Sequence, residues 1–293
     1  MKTPEFPLDV VLDTDAYNEI DDQFAIAYLL RSKPQLNTLA LYAAPFSNEI
    51  AATPEEGMEK SYDEILHVLK LCDEQVEVYR GSKTYLPDEF TPVDSPAARD
   101  LVEKAMAHSP EKPLYVVAIG AITNVASALL LKPEIAQRIV IVWLGGHAYH
   151  YHDTTEFNMR QDFGAARVVM GCGAPFVQLP CRGVVSEFAT SAPELEKLFY
   201  NKNPLADYLA RNTVRHMQER RGEDALWSKP IWDVTAVAWL LNEDDRFMES
   251  RVVAARLPGD DGQYRDPIDQ KIHYVYYIKR DPLMTDLVEK LTK

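Results

Sequence analysis

The residues best suited to do chemistry lie together near the start of the chain. An apolar run, Leu8-Asp-Val-Val-Leu12, ends in Asp13-Thr-Asp15; Asn18, Glu19, Asp21 and Asp22 follow, and the pattern then turns helical through Phe24, Ile26, Ala27 and Leu30. Aspartates this close raise one another's pKa unless a cation shares the space. Carboxylate oxygens suit a hard ion, Ca²⁺ or Mg²⁺. The same residues can also serve as helix caps in a solvated acidic loop. Their place at a strand end favours the cation, because open α/β sheets gather ligands beyond the carboxyl ends of their strands. A second group, His147, His150 and His152, follows Gly145-Gly146 and offers acids, sugar contacts or merely exposed loop histidines.

Regular alternation of strands and helices would have to position these groups. Short apolar, β-branched runs at 10–13, 38–43, 76–79, 114–118, 139–144 and 176–179 read as strands. Between them lie helical stripes. Tyr62, Ile65, Leu66 and Leu69 form one, behind the start signal Thr53-Pro54-Glu55-Glu56; Ser191-Ala-Pro-Glu194 and Asn203-Pro204 open others, the latter running toward His216. The expected fold is α/β, an open, mostly parallel sheet with helices on both faces. Residues 252–255 and 273–278, separated by Pro258-Gly-Asp-Asp-Gly262, predict a hairpin or antiparallel edge that makes the sheet mixed. No repeat or linker divides residues 1–293, which read as one domain.

Composition narrows the classes of function. The 293 residues are 46% hydrophobic and 26% charged, as in a globular protein with a large core. A net charge of −14 argues against nucleic acid as a partner. No apolar run is long enough to span a bilayer, and Met1 to Leu8 carry no apolar signal core, so neither membrane nor targeting peptide is expected. Cys72, Cys172 and Cys181 are odd in number and lack CxxC spacing, which points to a reducing cytoplasm.

The order of the motifs resembles the nucleoside hydrolase family of the inosine/uridine-preferring type. That family opens with a strand, Asp-x-Asp, a Pro-Gly turn and Asp-Asp-Ala at a helix start. Both aspartate pairs are kept here, but Ala-Tyr-Asn18-Glu-Ile stands between them and the Pro-Gly is absent. Leu114 through Ile119-Gly120-Ala-Ile-Thr123-Asn124 resembles the family's strand and Gly-x-Leu-Thr-Asn. Trp143-Leu-Gly145-Gly146, Glu156-Phe-Asn158 and Trp232-Asp233 follow in family order. The resemblance implies one Ca²⁺ held by Asp15, Asp22, the Ile119 carbonyl and Asp233, with Asp21 as general base. It implies ribose contacts from Asn18, Asn48, Glu156 and Asn158, to which the histidine cluster would add His150. The family's usual His before the last metal ligand is Trp232 here, as in a purine-preferring branch where the indole stacks on the leaving base. A homodimer or homotetramer acting on a small nucleoside, in purine salvage, is what the family leads one to expect.

Cleavage of an N-glycosidic bond passes through a transition state of oxocarbenium character. Water must be deprotonated, the sugar held, and the departing base stabilised. Two other readings start from the same residues. Asp13 and Asp15 could be nucleophile and acid of a haloacid dehalogenase-type phosphatase, with Gly259-Asp260-Asp261 as its distant acidic motif. A family descendant that binds metal and sugar without turnover is the other.

Overall fold

The structure is a computed structural model that describes residues 6–293, so most of the Met1 to Leu8 segment lies outside the described residues. In chain order its elements are β1 (Leu8–Thr14), α1 (Asp21–Leu30), β2 (Leu36–Ala43), α2 (Pro54–Leu71), β3 (Glu77–Arg80), α3 (Pro96–Met106), β4 (Leu114–Ala118), α4 (Thr123–Leu131), β5 (Ile139–Leu144), α5 (Phe157–Gln161), α6 (Phe163–Met170) and β6 (Phe176–Leu179). There follow β7 (Ala189–Thr190), α7 (Ala192–Leu198), α8 (Pro204–Arg221), β8 (Lys229–Pro230), α9 (Val234–Trp239), β9 (Met248–Pro258), β10 (Tyr264–Ile278) and α10 (Arg280–Thr292).

Eight strands form one sheet in the order β3-β2-β1-β4-β5-β6-β10-β9. All neighbours run parallel except β10 and β9, whose antiparallel pairing makes the expected mixed edge. The alternation of β1 explains its central place: Val10 and Leu12 enter one core and Val11 the other, so both faces of the strand are buried. Strand order reverses at β1, which pairs with β2 on one side and β4 on the other. The carboxyl ends of β1 and β4 thus flank a topological switch point, the place where such sheets bind ligands.

Local signals account for the helix starts. Thr53 Oγ1 accepts the Glu56 N–H at 3.2 Å, and the Glu56 carboxylate accepts the Ala52 N–H at 2.9 Å, with Pro54 in the first turn. Asn203 Oδ1 caps α8 through the Ala206 N–H at 2.8 Å. The C-terminal strands are longer than the sequence pattern predicts. Their outer halves carry Arg256, Arg265, Asp266, Pro267 and Asp269, which hide the apolar alternation, and register shifts interrupt the pairing. The predicted loop closes as a turn in which the Gly259 N–H bonds to the Gln263 carbonyl at 2.8 Å. Among the described residues no helix is long and apolar enough to cross a membrane.

Candidate active site

The floor of the site is built at that switch point. Asp13 and Thr14 end β1, Asp15 follows at once, and a turn closed by the Asn18 N–H on the Asp15 carbonyl (2.7 Å) leads to Asp21 and Asp22 in the first turn of α1. Carboxylates are favoured there by the helix dipole. Asp233 arrives just ahead of α9, which packs against α1. One carboxylate oxygen from each of Asp21, Asp22 and Asp233 lies within 4.8 Å of the others. Gly120 lets β4's loop approach, since a Cβ there would stand 2.8 Å from Asp15 Oδ1.

This floor is almost fully buried, open only toward the cleft. Asp15, Asp21, Asp22 and Asp233 are each 5% exposed or less. Burial, and then the charges of its neighbours, pushes the Asp22 carboxyl up to about 8. Burial followed by repulsion from the other aspartates also holds Asp15 and Asp233 well above the usual carboxylate range. Asp15 Oδ2 is buried with no hydrogen-bond partner. An all-oxygen set of buried, mutually repelling carboxylates with an orphaned acceptor fits a hard divalent cation. The Ile119 carbonyl stands beside them; it already accepts the Asn158 amide at 3.0 Å and keeps a second lone pair.

The other residues singled out in the sequence are distributed unevenly. Asn18 and Asn48 are bonded to each other (Nδ2 of Asn48 to Oδ1 of Asn18, 2.8 Å) at the rim of a cleft of about 630 Å³. Glu156 is the cap of α5, its carboxylate accepting the N–H groups of Gly146, Asn158 and Met159 at 2.9–3.0 Å. Asn158 spends its NH₂ on the Ile119 and Leu144 carbonyls, leaving Oδ1 as the atom it can offer. His150 does not line the cleft; it is exposed and lies against Tyr151, whereas His147 does line it.

Three features of the wall were not read from the sequence. Lys229 is buried, donates to Glu19, and lies 3.3 Å from Asp21 Oδ1 and 4.0 Å from the centre of the Trp232 ring. Burial disfavours its ammonium, but the charges of Asp21 and Glu19 raise its pKa above the ordinary lysine value. The contact takes one face of the Trp232 indole, whose remaining surface packs partly against the core and partly lines the cleft. His216 reaches the cleft from α8, and Arg160, Arg182 and Arg220 also line it. A lysine flanked by Trp227 and Ile231-Trp232-Asp233 is the one signal that could have marked Lys229.

The phosphatase reading fails on geometry. Asp13 is fully buried, burial pushes it up to about 7, and its Oδ1 accepts the Asn124 amide at 2.7 Å, so it is no accessible nucleophile. Asp260 and Asp261 sit at the far hairpin, paired with Arg167 and Arg265.

Comparison with known proteins agrees with the family resemblance. The family model described as inosine-uridine preferring nucleoside hydrolase matches residues 10–265. A probable uridine nucleosidase 2 of Arabidopsis thaliana is 28% identical over 225 residues, covering 69% of this chain and 67% of its own. The non-specific ribonucleoside hydrolase RihC of Salmonella enteritidis is 27% identical over 278 residues, covering 86% and 85%. Among solved structures, a plant nucleoside hydrolase superposes with a TM-score of 0.77 at 22% identity over 98% of this chain and 99% of that one. A purine-preferring ribonucleoside hydrolase from Gardnerella vaginalis gives 0.76 at 18% identity over 97% and 98%. At these identities the structural likeness speaks for the fold.

Proposed function

Since the chain belongs to the nucleoside hydrolase family and so acts on N-glycosyl bonds, we propose that it hydrolyses ribonucleosides, purine ones by preference, to free base and sugar with one Ca²⁺ in its acidic floor. The observation that carries this reading is the buried cluster of Asp15, Asp21, Asp22 and Asp233 at the switch point. Asp15, Asp22, Asp233 and the Ile119 carbonyl would hold the ion, which when bound supplies Lewis acidity toward water and sugar oxygens. Asp21 shares the cluster with Asp22 and Asp233, and it is assigned the base role because the ammonium of Lys229, 3.3 Å from its Oδ1, disfavours its use as a ligand to a second cation.

In the reaction Asp21 accepts one proton from water, whose oxygen bonds to the anomeric carbon. The C–N bond breaks with its electron pair going to the base, which takes a proton from solvent. Asn18, Asn48, Glu156 and Asn158 Oδ1 orient the sugar, fixing the geometry that turns encounter into reaction. Trp232 lines the cleft beside Asp233, and its indole is the surface that would meet a bicyclic base, which is the support for a purine preference. A panel of purine and pyrimidine nucleosides, followed by appearance of free base and reducing sugar, tests the reading. Base release from purine nucleosides is expected. Binding without release would identify a descendant that has lost turnover.

A further inference from the structure

Asn48 and Asn158, two of the expected sugar contacts, line the same cleft but come from distant segments. Asn158 is anchored to the sheet. It sits in α5, whose start is capped by Glu156, and its amide donates to the Ile119 and Leu144 carbonyls at 3.0 Å. Asn48 lies outside regular structure, in the connection between β2 and α2. A single side chain of α5 reaches across to hold that connection. Gln161 Oε1 accepts the Ser47 backbone N–H at 2.9 Å, and Gln161 Nε2 donates to the Ser47 carbonyl at 3.3 Å. Gln161 itself does not line the cleft.

A primary amide that meets both polar atoms of one residue fixes more than a distance. The Ser47 carbonyl belongs to the peptide plane that joins Ser47 to Asn48, and the N–H of that plane donates to the Ala51 carbonyl at 2.9 Å. With both polar atoms engaged, the plane has little freedom to turn, which sets the direction in which the Asn48 side chain leaves. Asn48 then donates to Asn18 Oδ1 at 2.8 Å and accepts the Ile50 N–H on its own Oδ1 at 2.9 Å. Gln161 is held in turn. Its Oε1 also accepts the Tyr85 hydroxyl, which stands 3.1 Å from Ser47 Oγ. The next residue, Asp162, accepts the Thr123 hydroxyl at 2.7 Å and the Leu86 N–H at 2.9 Å. The glutamine therefore reaches out from between two fixed points, Asn158 and Asp162.

We propose that Gln161 is a positioning residue of the sugar site: by gripping the backbone of Ser47 it sets the separation of Asn48 from Asn158, so that the two asparagines close on the sugar as one clamp. This rests on the nucleosidase reading above and adds to it a residue that never touches the substrate. Hydrogen bonds to sugar hydroxyls strengthen as oxocarbenium character develops, so a small displacement of either asparagine is felt in the rate. A glutamine that merely tied down a loop would affect stability and leave the preference among sugars unchanged.

The test measures base release by the Ca²⁺-loaded protein from inosine and uridine and from their 2′-deoxy and 3′-deoxy forms. It compares the wild type with Gln161→Met, Asn48→Ala and the double variant. Methionine keeps the length of the side chain and removes both hydrogen bonds. Gln161→Met is expected to lower kcat/KM on the better ribonucleoside about tenfold, the worth of two ordinary hydrogen bonds. In the Asn48→Ala background the same substitution should cost less than about twofold, because the group it positions has gone. Across the deoxynucleosides its losses should follow those of Asn48→Ala: the missing hydroxyl that makes one substitution harmless should make the other harmless too. Tyr85→Phe removes only the hydroxyl that donates to Gln161 and should give the same pattern at smaller size, which carries the test if Gln161→Met does not fold. Full and independent losses in the double variant, losses that do not follow those of Asn48→Ala, or an Asn48→Ala variant as active as the wild type overturn the proposal and leave the nucleosidase reading standing. No base release from any of these nucleosides by the wild type overturns both.

Discussion

The carboxylates of the floor reach the cleft from the ends of regular elements, whereas the donors of its far end come from loops and one short helix. Asp13 and Thr14 belong to β1, Asp21 and Asp22 to α1, and Asp233 directly precedes α9, so packing of a buried sheet and two helices fixes them. His147 and Arg182 lie in the connections after β5 and β6, and Arg160 is exposed at the end of a five-residue helix. The difference separates two tasks. On the proposed function a rigid, buried floor would serve the step common to every substrate, while loops can vary which substrate is admitted. Lys229 joins the two: it braces Asp21 in the floor and covers Trp232 in the wall.

This division predicts that floor substitutions act on all substrates alike and wall substitutions act selectively. The largest effect is expected from Asp21→Asn, which keeps the shape but cannot take a proton; turnover should fall about 10²–10⁴-fold on every nucleoside, with metal still bound. Loss of metal in this variant, together with intact metal in Asp15→Asn, would exchange the roles of these two aspartates. Next comes Lys229→Met, which strands two carboxylates around a side chain only 6% exposed. Breaking such a buried pair costs about 3–5 kcal/mol, read as a lowered Tm. Adding Glu19→Gln should restore part of that loss, and metal affinity should rise because a nearby positive charge has gone. A variant as stable as the wild type would show that Lys229 braces nothing.

A further effect, spread over several pH units, concerns the metal-free protein. Unfolded aspartates titrate near 3.8, but burial pushes Asp13 up to about 7 and Asp22 up to about 8 in the metal-free fold. The folded state then binds more protons than the unfolded one between those values, so stability falls as pH rises across that window, by up to about 1.4 kcal/mol per pH unit for each proton. Tm of the chelated protein should drop from pH 5 toward pH 8, and saturating Ca²⁺ should flatten the dependence by holding the carboxylates ionised. A chelated protein whose Tm rises over the same range contradicts the buried repulsion. The smallest effect should come from Trp232→Ala, where loss of one stacking face is worth about 1–3 kcal/mol. The loss should fall more heavily on inosine than on uridine, and equal losses would remove the basis for a purine preference.

How much of this was legible in the sequence follows from how each part is built. The strands of the sheet centre announced themselves because both faces are buried and their runs are unbroken, as in Leu114–Ala118 and Ile139–Leu144. Helix α3 did not, although Ser95 and Pro96 form its start. The aspartates of the floor were visible as a contiguous motif, and Asp233 through its family context. Lys229 was not, because its partner Glu19 lies 210 positions away and only the fold brings them together. His147 was one of three neighbouring histidines, and the placement of β6 beside β5 decides which of them meets Arg182 and the cleft. His150, chosen from the sequence as a substrate contact, points instead to Tyr151.

Metal dependence of turnover tests the central claim most directly. The protein would be stripped with excess chelator, freed of it, and assayed for base release from a nucleoside before and after titration with Ca²⁺, with bound metal counted at each step. The buried cluster of Asp15, Asp22 and Asp233 predicts that activity vanishes on stripping and returns in proportion to one ion per chain. Full base release from the stripped protein would contradict it.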